Sequence, residues 1–211
     1  MNHIVIIGNG IAGITAAIRI REHSGDSITI ISAESEHFFS RTALMYIYMG
    51  HLTYEHTKQY EDQFWREQKL TLVHDYATTL DVAKKTVSLQ SGSSIHYDIL
   101  ILATGSQSTS FGWPGEKLRG VQGLYSLQDL HLMQENTRTI SRAVVVGGGL
   151  IGIEAAEMLH SRGIPVTFLV RENRYWGNVF PREESTLIER HIREHHIDLR
   201  LHTSLDSILP G

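Results

Sequence analysis

Cysteine is absent from this chain of 211 residues. That excludes disulfide scaffolds, cysteine-ligated zinc, iron–sulfur clusters held by this chain, thiol nucleophiles and redox-active dithiols. Positive charge is also in short supply: 19 Lys+Arg against 23 Asp+Glu give a formal net charge of −4. Without a basic tract, nucleic acid is not an expected partner. Long apolar runs are missing too. The longest, Ile4 to Ile20, is broken by Asn9, Thr15 and Arg19 and carries Gly8, Gly10 and Gly13, so no membrane span is expected. No positively charged leader precedes Ile4-Val5-Ile6-Ile7, which argues against a signal peptide and makes the cytoplasm the expected compartment.

What is present is globular. Hydrophobic residues make up 41% and charged residues 20%, enough apolar material for a real core. The length suits one large domain or two small ones. Ile4 to Ile7 reads as a buried parallel strand, Ile11 to His23 as a helix and Ile28 to Ile31 as a second strand, a β–α–β unit. Arg41 to Met49 and Tyr60 to Lys69 read as helices. Beyond Leu70 the pattern shortens to Ala77–Val82, Thr86–Leu89 and Ile95–Leu102, an expected antiparallel meander followed by a buried strand, Ile99 to Leu102. Ser106 to Gly120, with Gly112, Pro114, Gly115 and Gly120, is the expected crossing between domains. Then come a helix over Leu127–Asn136, a strand over Ala143–Val146, a helix over Leu150–Arg162 and a strand over Val166–Val170. Pro181 opens a last helix to about His196, with Leu187, Ile188 and Ile192 expected on its buried face.

The chain repeats itself. Ile4-Val5-Ile6-Ile7-Gly8-Asn9-Gly10-Ile11-Ala12-Gly13 returns 139 positions later as Ala143-Val144-Val145-Val146-Gly147-Gly148-Gly149-Leu150-Ile151-Gly152, with all three glycines in register. Ile28 to Ile31 likewise matches Val166 to Leu169. Two copies of one βαβ unit are therefore expected, each opening its own sheet.

The glycine spacing has a chemical meaning. The first glycine permits the turn from strand to helix, the second admits a pyrophosphate to the backbone, and the third lets helix and strand pack closely. Exposed amides at the helix start, with the positive end of the helix dipole, suit phosphate oxygens. An acid beyond the second strand accepts the ribose hydroxyls, and Glu34, 21 residues after Gly13, has that place. Two such units imply two nucleotides, in the usual division an FAD and a nicotinamide cofactor whose reactive rings meet.

These residues resemble the FAD- and NAD(P)-dependent pyridine-nucleotide oxidoreductases, in their rubredoxin/ferredoxin reductase branch, and the flavin portion of NADH-dependent nitrite reductases is similar. Besides both glycine motifs, Tyr97-Asp98-Ile99-Leu100-Ile101-Leu102-Ala103-Thr104-Gly105 matches the family's second FAD motif, and Gly147 to Ala156 its nicotinamide-nucleotide motif. The resemblance implies an α/β fold of two Rossmann-like domains with a small antiparallel meander in the first. It implies an FAD-binding domain over 1–110 and an incomplete NAD(P)-binding domain over 111–211. Gly8, Gly10, Ile11, Ala12 and Gly13 would line the FAD pyrophosphate, and Glu34 would hold the adenosine ribose. Arg41, within Phe39-Ser40-Arg41-Thr42-Ala43-Leu44, would approach the FAD phosphates. The Ala77 backbone would meet the adenine, and Ala103, Thr104 and Gly105 would close over the cofactor. Gly147, Gly149, Leu150, Ile151 and Gly152 would cradle the NAD(P) pyrophosphate. Glu154 matches an acid placed near nicotinamide and flavin, the one candidate catalytic residue. An acid in the first turn of a helix is also favourable for the dipole alone.

The chain departs from this pattern in several ways. Many relatives carry a lysine where Tyr46 stands, beside the flavin. The missing cysteine removes the thiol-using chemistries of the family. Val170 is not the acid expected at its strand end; Arg171 or Arg174 would suit the 2′-phosphate of NADP, Glu172 the ribose of NAD, and both cofactors stay open. Relatives are roughly twice as long and carry a later Gly-Asp motif for the flavin ribityl chain, so the sequence is expected to be the N-terminal part of a longer protein.

The implied activity is transfer of hydride from NAD(P)H to FAD, then of electrons to a redox partner such as rubredoxin, ferredoxin or a reductase domain. The alternatives are a flavin module of a nitrite reductase or monooxygenase, or a non-catalytic nucleotide-binding sensor or assembly subunit; oligomerisation is open. Among the 13 histidines, His191, His195 and His196 read as a solvated helix end and not as metal ligands. Glu61, Asp62 and Glu67 with Arg66 and Lys69 read as a solvated face, and Trp65, Trp113 and Trp176 as packing residues.

Overall fold

The computed structural model describes residues 1–210, and they fall into two compact units. Unit 1 comprises Met1–Leu44 and Leu52–Gln107; unit 2 comprises Met45–His51 and the residues from Ser108 onward. In order, the first half of the chain forms β1 (His3–Ile7), α1 (Ile11–His23), β2 (Ser27–Ser32), a 3-10 turn (Arg41–Ala43), α2 (Leu44–Tyr48) and α3 (Asp62–Glu67). It continues with β3 (Leu70–His74), β4 (Ala77–Asp81), β5 (Thr86–Leu89), β6 (Ser94–His96) and β7 (Ile99–Leu102). The remainder forms α4 (Leu127–Asn136), β8 (Ala143–Val146), α5 (Leu150–Ser161), β9 (Val166–Leu169), α6 (Arg182–Glu194) and β10 (Asp198–Arg200). Each unit is Rossmann-like, and an antiparallel meander accompanies the first.

Unit 1 is built on a parallel sheet in the order β3-β2-β1-β7. Side chains alternate across a strand, and the β-branched runs use both faces. Ile4, Ile6, Ile28 and Ile30 pack with Ile14 and Ala17 of α1, Phe38, Trp65 and Leu70. Val5 and Ile31 pack on the opposite face with Val87, Leu89 and Tyr97, where the antiparallel sheet β4-β5-β6 lies. Each fully buried Ile or Val contributes roughly 1.5–3 kcal/mol.

Two expectations need correcting here. The expected buried strand, β7, is the edge of its sheet, and Ile99 and Leu102 are 46% and 63% exposed; an apolar run with one neighbouring strand is covered only in its middle. The helix expected over Arg41 to Met49 divides into the 3-10 turn and α2, and the one expected over Tyr60 to Lys69 shrinks to α3.

Unit 2 carries the parallel sheet β10-β9-β8. Its core collects Met158 and Leu159 of α5, Val166 and Phe168 of β9, and Ile192, Ile197 and Leu199. Ser126 opens α4 in a capping box with Asp129. On α6 the buried positions are Ser185, Glu189 and Ile192, spaced by four and three. Leu187, expected inside, is 56% exposed, because two residues past Ser185 is about 200° around a helix. The segment Met45–His51 is held within this unit: Arg162 donates from Nε (2.9 Å) and Nη2 to the Tyr48 carbonyl, and its guanidinium lies 3.9 Å from the Tyr48 ring centre. The Tyr48 hydroxyl donates to Thr137 Oγ1 at 2.8 Å. No helix among the described residues is long and apolar enough to cross a membrane.

Candidate functional site

In unit 1, the carboxyl ends of the strands gather the first set of residues, the edge at which open α/β sheets bind ligands. The Gly8 N–H donates to Ile31 O (2.8 Å) and the Ala103 N–H to Ile7 O (2.8 Å), so the loop after β1 lies between the ends of β2 and β7. Gly8 has φ +112°, and a Cβ there would stand 2.1 Å from the Ala103 carbonyl oxygen. A Cβ on Gly13 would stand 1.9 Å from the Gly8 oxygen and 3.3 Å from the Ile6 side chain. Gly10 is different, with nothing among the described residues within 4 Å of its absent Cβ. It is the N-cap of α1, where no side-chain cap and no first-turn acid are found among the described residues. The amides of the first helical turn, which have no intrahelical acceptor, open beside Ile11, 67% exposed, and exposed Ala12.

Glu34 and Arg41 meet. Arg41 donates from Nη1 to Oε1 (2.9 Å) and from Nη2 to Oε2 (2.5 Å) of Glu34, a bidentate pair with side chains 32% and 20% exposed. The buried Asn9 side chain donates to Ser35 O at 2.8 Å, tying the glycine loop to the segment that carries Glu34. Sequence reasoning passed over Asn9, whose place between two glycines reads as a turn. Ala77, half-buried, opens β4 two residues after Asp75, whose N–H donates to Ser32 O at 2.9 Å. Thr104 and Gly105 follow Ala103, and the Thr104 nitrogen would lie 3.3 Å from a Cβ on Gly8.

Unit 2 repeats the construction. Gly147, at φ +109°, donates to Leu169 O (3.0 Å), and a Cβ on Gly152 would stand 2.0 Å from the Gly147 oxygen and 3.2 Å from the Phe168 ring. Gly149 has nothing among the described residues within 4 Å of its absent Cβ and is the N-cap of α5. Leu150 and Ile151 are 58% and 57% exposed. Trp176, which sequence reasoning left as packing, donates from Nε1 to Gly148 O at 2.5 Å. No local signal announces this contact, 28 residues apart.

The other candidates in this unit are less converged. Glu154 is half-buried and is the fifth residue of α5, which has no acid in its first turn. The first-turn placement expected for it is therefore corrected, and with it the dipole explanation. Arg171 and Glu172, rivals in the sequence, pair with each other at 2.9 Å while 80% and 47% exposed. The hydrogen bond from Arg171 holds the Glu172 carboxyl below its ordinary value. Burial pushes the Tyr175 hydroxyl up to about 12. His195 Nδ1 lies 2.9 Å from the His191 carbonyl oxygen, and no group of three or more potential metal ligands clusters among the described residues.

The geometry fits two diphosphate-bearing nucleotides, because each loop combines crowded first or third glycines with an open middle position and exposed apolar flanks. The family described as "Pyridine nucleotide-disulphide oxidoreductase" matches residues 2–210. The chain is 30% identical to the benzene 1,2-dioxygenase system ferredoxin–NAD(+) reductase subunit of Pseudomonas putida, over 97% of this chain and 50% of that protein. It is 32% identical to the chlorobenzene dioxygenase ferredoxin reductase component of a Cupriavidus species, over 79% of this chain and 41% of the relative. Among solved structures, an NAD-dependent persulfide reductase from A. fulgidus matches with a TM-score of 0.87 at 29% identity, covering 99% of this chain and 41% of that one. A ferredoxin reductase from Rhodopseudomonas palustris shares the fold, with a TM-score of 0.89 at 23% identity, over 100% of this chain and 53% of that one. The chain thus spans about half the length of these proteins.

Proposed function

Because the chain belongs to the pyridine nucleotide-disulphide oxidoreductase family, we propose that it serves an NAD(P)H-dependent flavoprotein that passes electrons to a small redox protein or a reductase domain. Unit 1 is the FAD-binding part and unit 2 the NAD(P)H-binding part. FAD supplies the exchange of a two-electron hydride for single electrons. The chain's own residues bind and orient. The amides of Gly10 and Gly149 and those that follow them receive the two pyrophosphates, helped by the positive ends of α1 and α5. Ile11, Leu150 and Ile151 lose water as the nucleotides cover them.

Arg41 and Glu34 hold one another before the nucleotide arrives. The carboxylate turns to the adenosine ribose and the guanidinium to the phosphates, so Arg41 exchanges one anion for another and Glu34 exchanges its cation for hydroxyl donors. Ala77, Ala103, Thr104 and Gly105 line the same strand edge of unit 1. In unit 2, Arg171 screens Glu172, and the two together set the choice between a ribose hydroxyl and a 2′-phosphate. Glu154 is the acid this reading places near the nicotinamide and the flavin. The cytoplasm, with its NAD(P)H supply, is the proposed compartment.

The observation that carries the reading is the pairing of two independent glycine loops, each with a crowded third glycine and an open second one. The test is anaerobic. Protein reconstituted with FAD is expected to be yellow and to bleach on addition of NADH or NADPH. Protein that takes up no FAD, or FAD-loaded protein whose colour neither nicotinamide changes, refutes the proposal.

A further inference from the structure

Three consecutive glycines, Gly147 to Gly149, leave the second loop with more backbone freedom than the first, where Asn9 stands between the glycines. A peptide flanked by glycines on both sides flips readily between orientations, yet pyrophosphate binding needs its N–H on one side. Unit 2 holds this peptide from outside the loop. The Trp176 indole N–H donates to the Gly148 carbonyl at 2.5 Å. In a trans peptide the carbonyl of one residue and the N–H of the next point in opposite directions. Fixing the Gly148 oxygen against the indole therefore turns the Gly149 N–H away from it, at the position where the absent Cβ leaves space.

Trp176 is itself held at some cost. Its φ of +51° is the left-handed region, which bulky residues rarely adopt. Its ring stacks between Tyr175 (5.6 Å, 9°) and Phe180 (5.5 Å, 20°). Its carbonyl accepts the N–H groups of Val179 (2.8 Å) and Phe180 (2.9 Å). The preceding Tyr175 N–H donates to the buried Glu189 carboxylate of α6 at 2.9 Å. A strained residue so thoroughly fixed, whose polar atom meets a loop glycine, points to a positioning role.

We propose that Trp176 is a positioning residue for the nucleotide pyrophosphate: its indole N–H locks the Gly148–Gly149 peptide in the orientation that presents the Gly149 amide. The inference rests on unit 2 binding NAD(P)H. The variant Trp176→Phe keeps an aromatic ring in the stack, though a smaller one, and removes the donor. Titration calorimetry of the FAD-loaded protein with NAD+ or NADP+, which cannot reduce the flavin, is expected to show binding weakened about three- to tenfold, the equivalent of one lost hydrogen bond. Uptake of FAD by the variant is expected to be unchanged. Proton–nitrogen spectra of 15N-glycine-labelled protein add a readout that simple packing would not move: the Gly149 amide gives one signal in the parent and a broadened or doubled one in the variant.

Unchanged nicotinamide affinity with a single Gly149 signal overturns the inference and leaves the function of unit 2 standing. A parent protein that binds neither nicotinamide overturns both. Should the variant not fold, solvent exchange of the Trp176 indole N–H in the parent decides. Exchange slowed by the bound nucleotide supports the lock, and exchange as fast as in an open indole overturns it.

Discussion

The two glycine loops have the same spacing and are closed by different neighbours. In unit 1 the Ala103 carbonyl presses on Gly8, and Asn9 supplies the brace from within the motif through Ser35. In unit 2 nothing among the described residues lies within 4 Å of a Cβ on Gly147, and the brace comes from Trp176, far along the chain. What coincides is the contact of the third glycine with the first one's oxygen, at 1.9 and 2.0 Å from the missing Cβ atoms. The turn and the helix–strand contact are thus common to both copies, whereas the stiffening of the middle peptide was solved twice. Repetition in sequence preserved the ligand-facing geometry and left its support free to diverge.

The comparison can be broken most directly at the first glycines. Gly8→Ala adds steric overlap with backbone to a left-handed φ and is expected to cost more than about 3 kcal/mol, up to loss of folding. Gly147→Ala meets the unfavourable φ alone and should cost about 1–2 kcal/mol. Equal losses in chemical denaturation would erase the difference between the loops.

Next in size is an alkaline effect centred on Tyr175 of unit 2, with a smaller one of the same sign from Tyr54 of unit 1, whose hydroxyl burial also pushes up. With Tyr175 raised from 10.0 to about 12, the native state favours the neutral phenol. The resulting stability is complete below the unfolded value and is lost as pH rises through the folded one. Unfolding free energy should therefore fall by about 2 kcal/mol across that interval, and Tyr175→Phe should flatten the profile. A variant that declines as steeply as the parent would place the alkaline sensitivity elsewhere.

Asn9→Ala removes the internal brace and leaves the Ser35 carbonyl short of a donor, for about 1–2 kcal/mol. FAD uptake should weaken while nicotinamide binding holds, the mirror image of the result expected for Trp176→Phe. The smallest change in stability, about 0.5–1 kcal/mol, is expected for Gly10→Ala and Gly149→Ala, whose new methyls enter open space but whose alanines are poorer N-caps than glycine. Each should nonetheless weaken its own nucleotide by at least about tenfold, because the methyl occupies the pyrophosphate's approach.

Sequence patterning made the two βαβ units legible because glycine spacing, strand runs and helix caps act over a few residues. The helix over Leu127–Asn136 was expected at the bounds found, where Ser126 and Asp129 form a local capping box. Long-range features were not legible. Ile99 and Leu102 have the composition of interior strand residues, but exposure depends on which strand lies alongside. Leu187 followed an apolar count, while the buried side of α6 is chosen by Glu189, which reaches Tyr175. The pairing of Arg41 with Glu34 joined two residues that the resemblance had assigned separate duties. Trp176 was read as a packing residue, because its partner is a backbone oxygen 28 residues away and no local side-chain pattern marks so distant a contact.

The strip Met45–His51 gives the protein a discontinuous inheritance. The covalent chain crosses between the units at three peptide bonds, so scission of the glycine-rich connection alone would not part them. A fragment starting at Ser108 would also lack Tyr48, leaving Arg162 without the ring and carbonyl it grips and Thr137 without its phenol. Recombination that exchanged the nicotinamide half for another would have to carry this short strip with it.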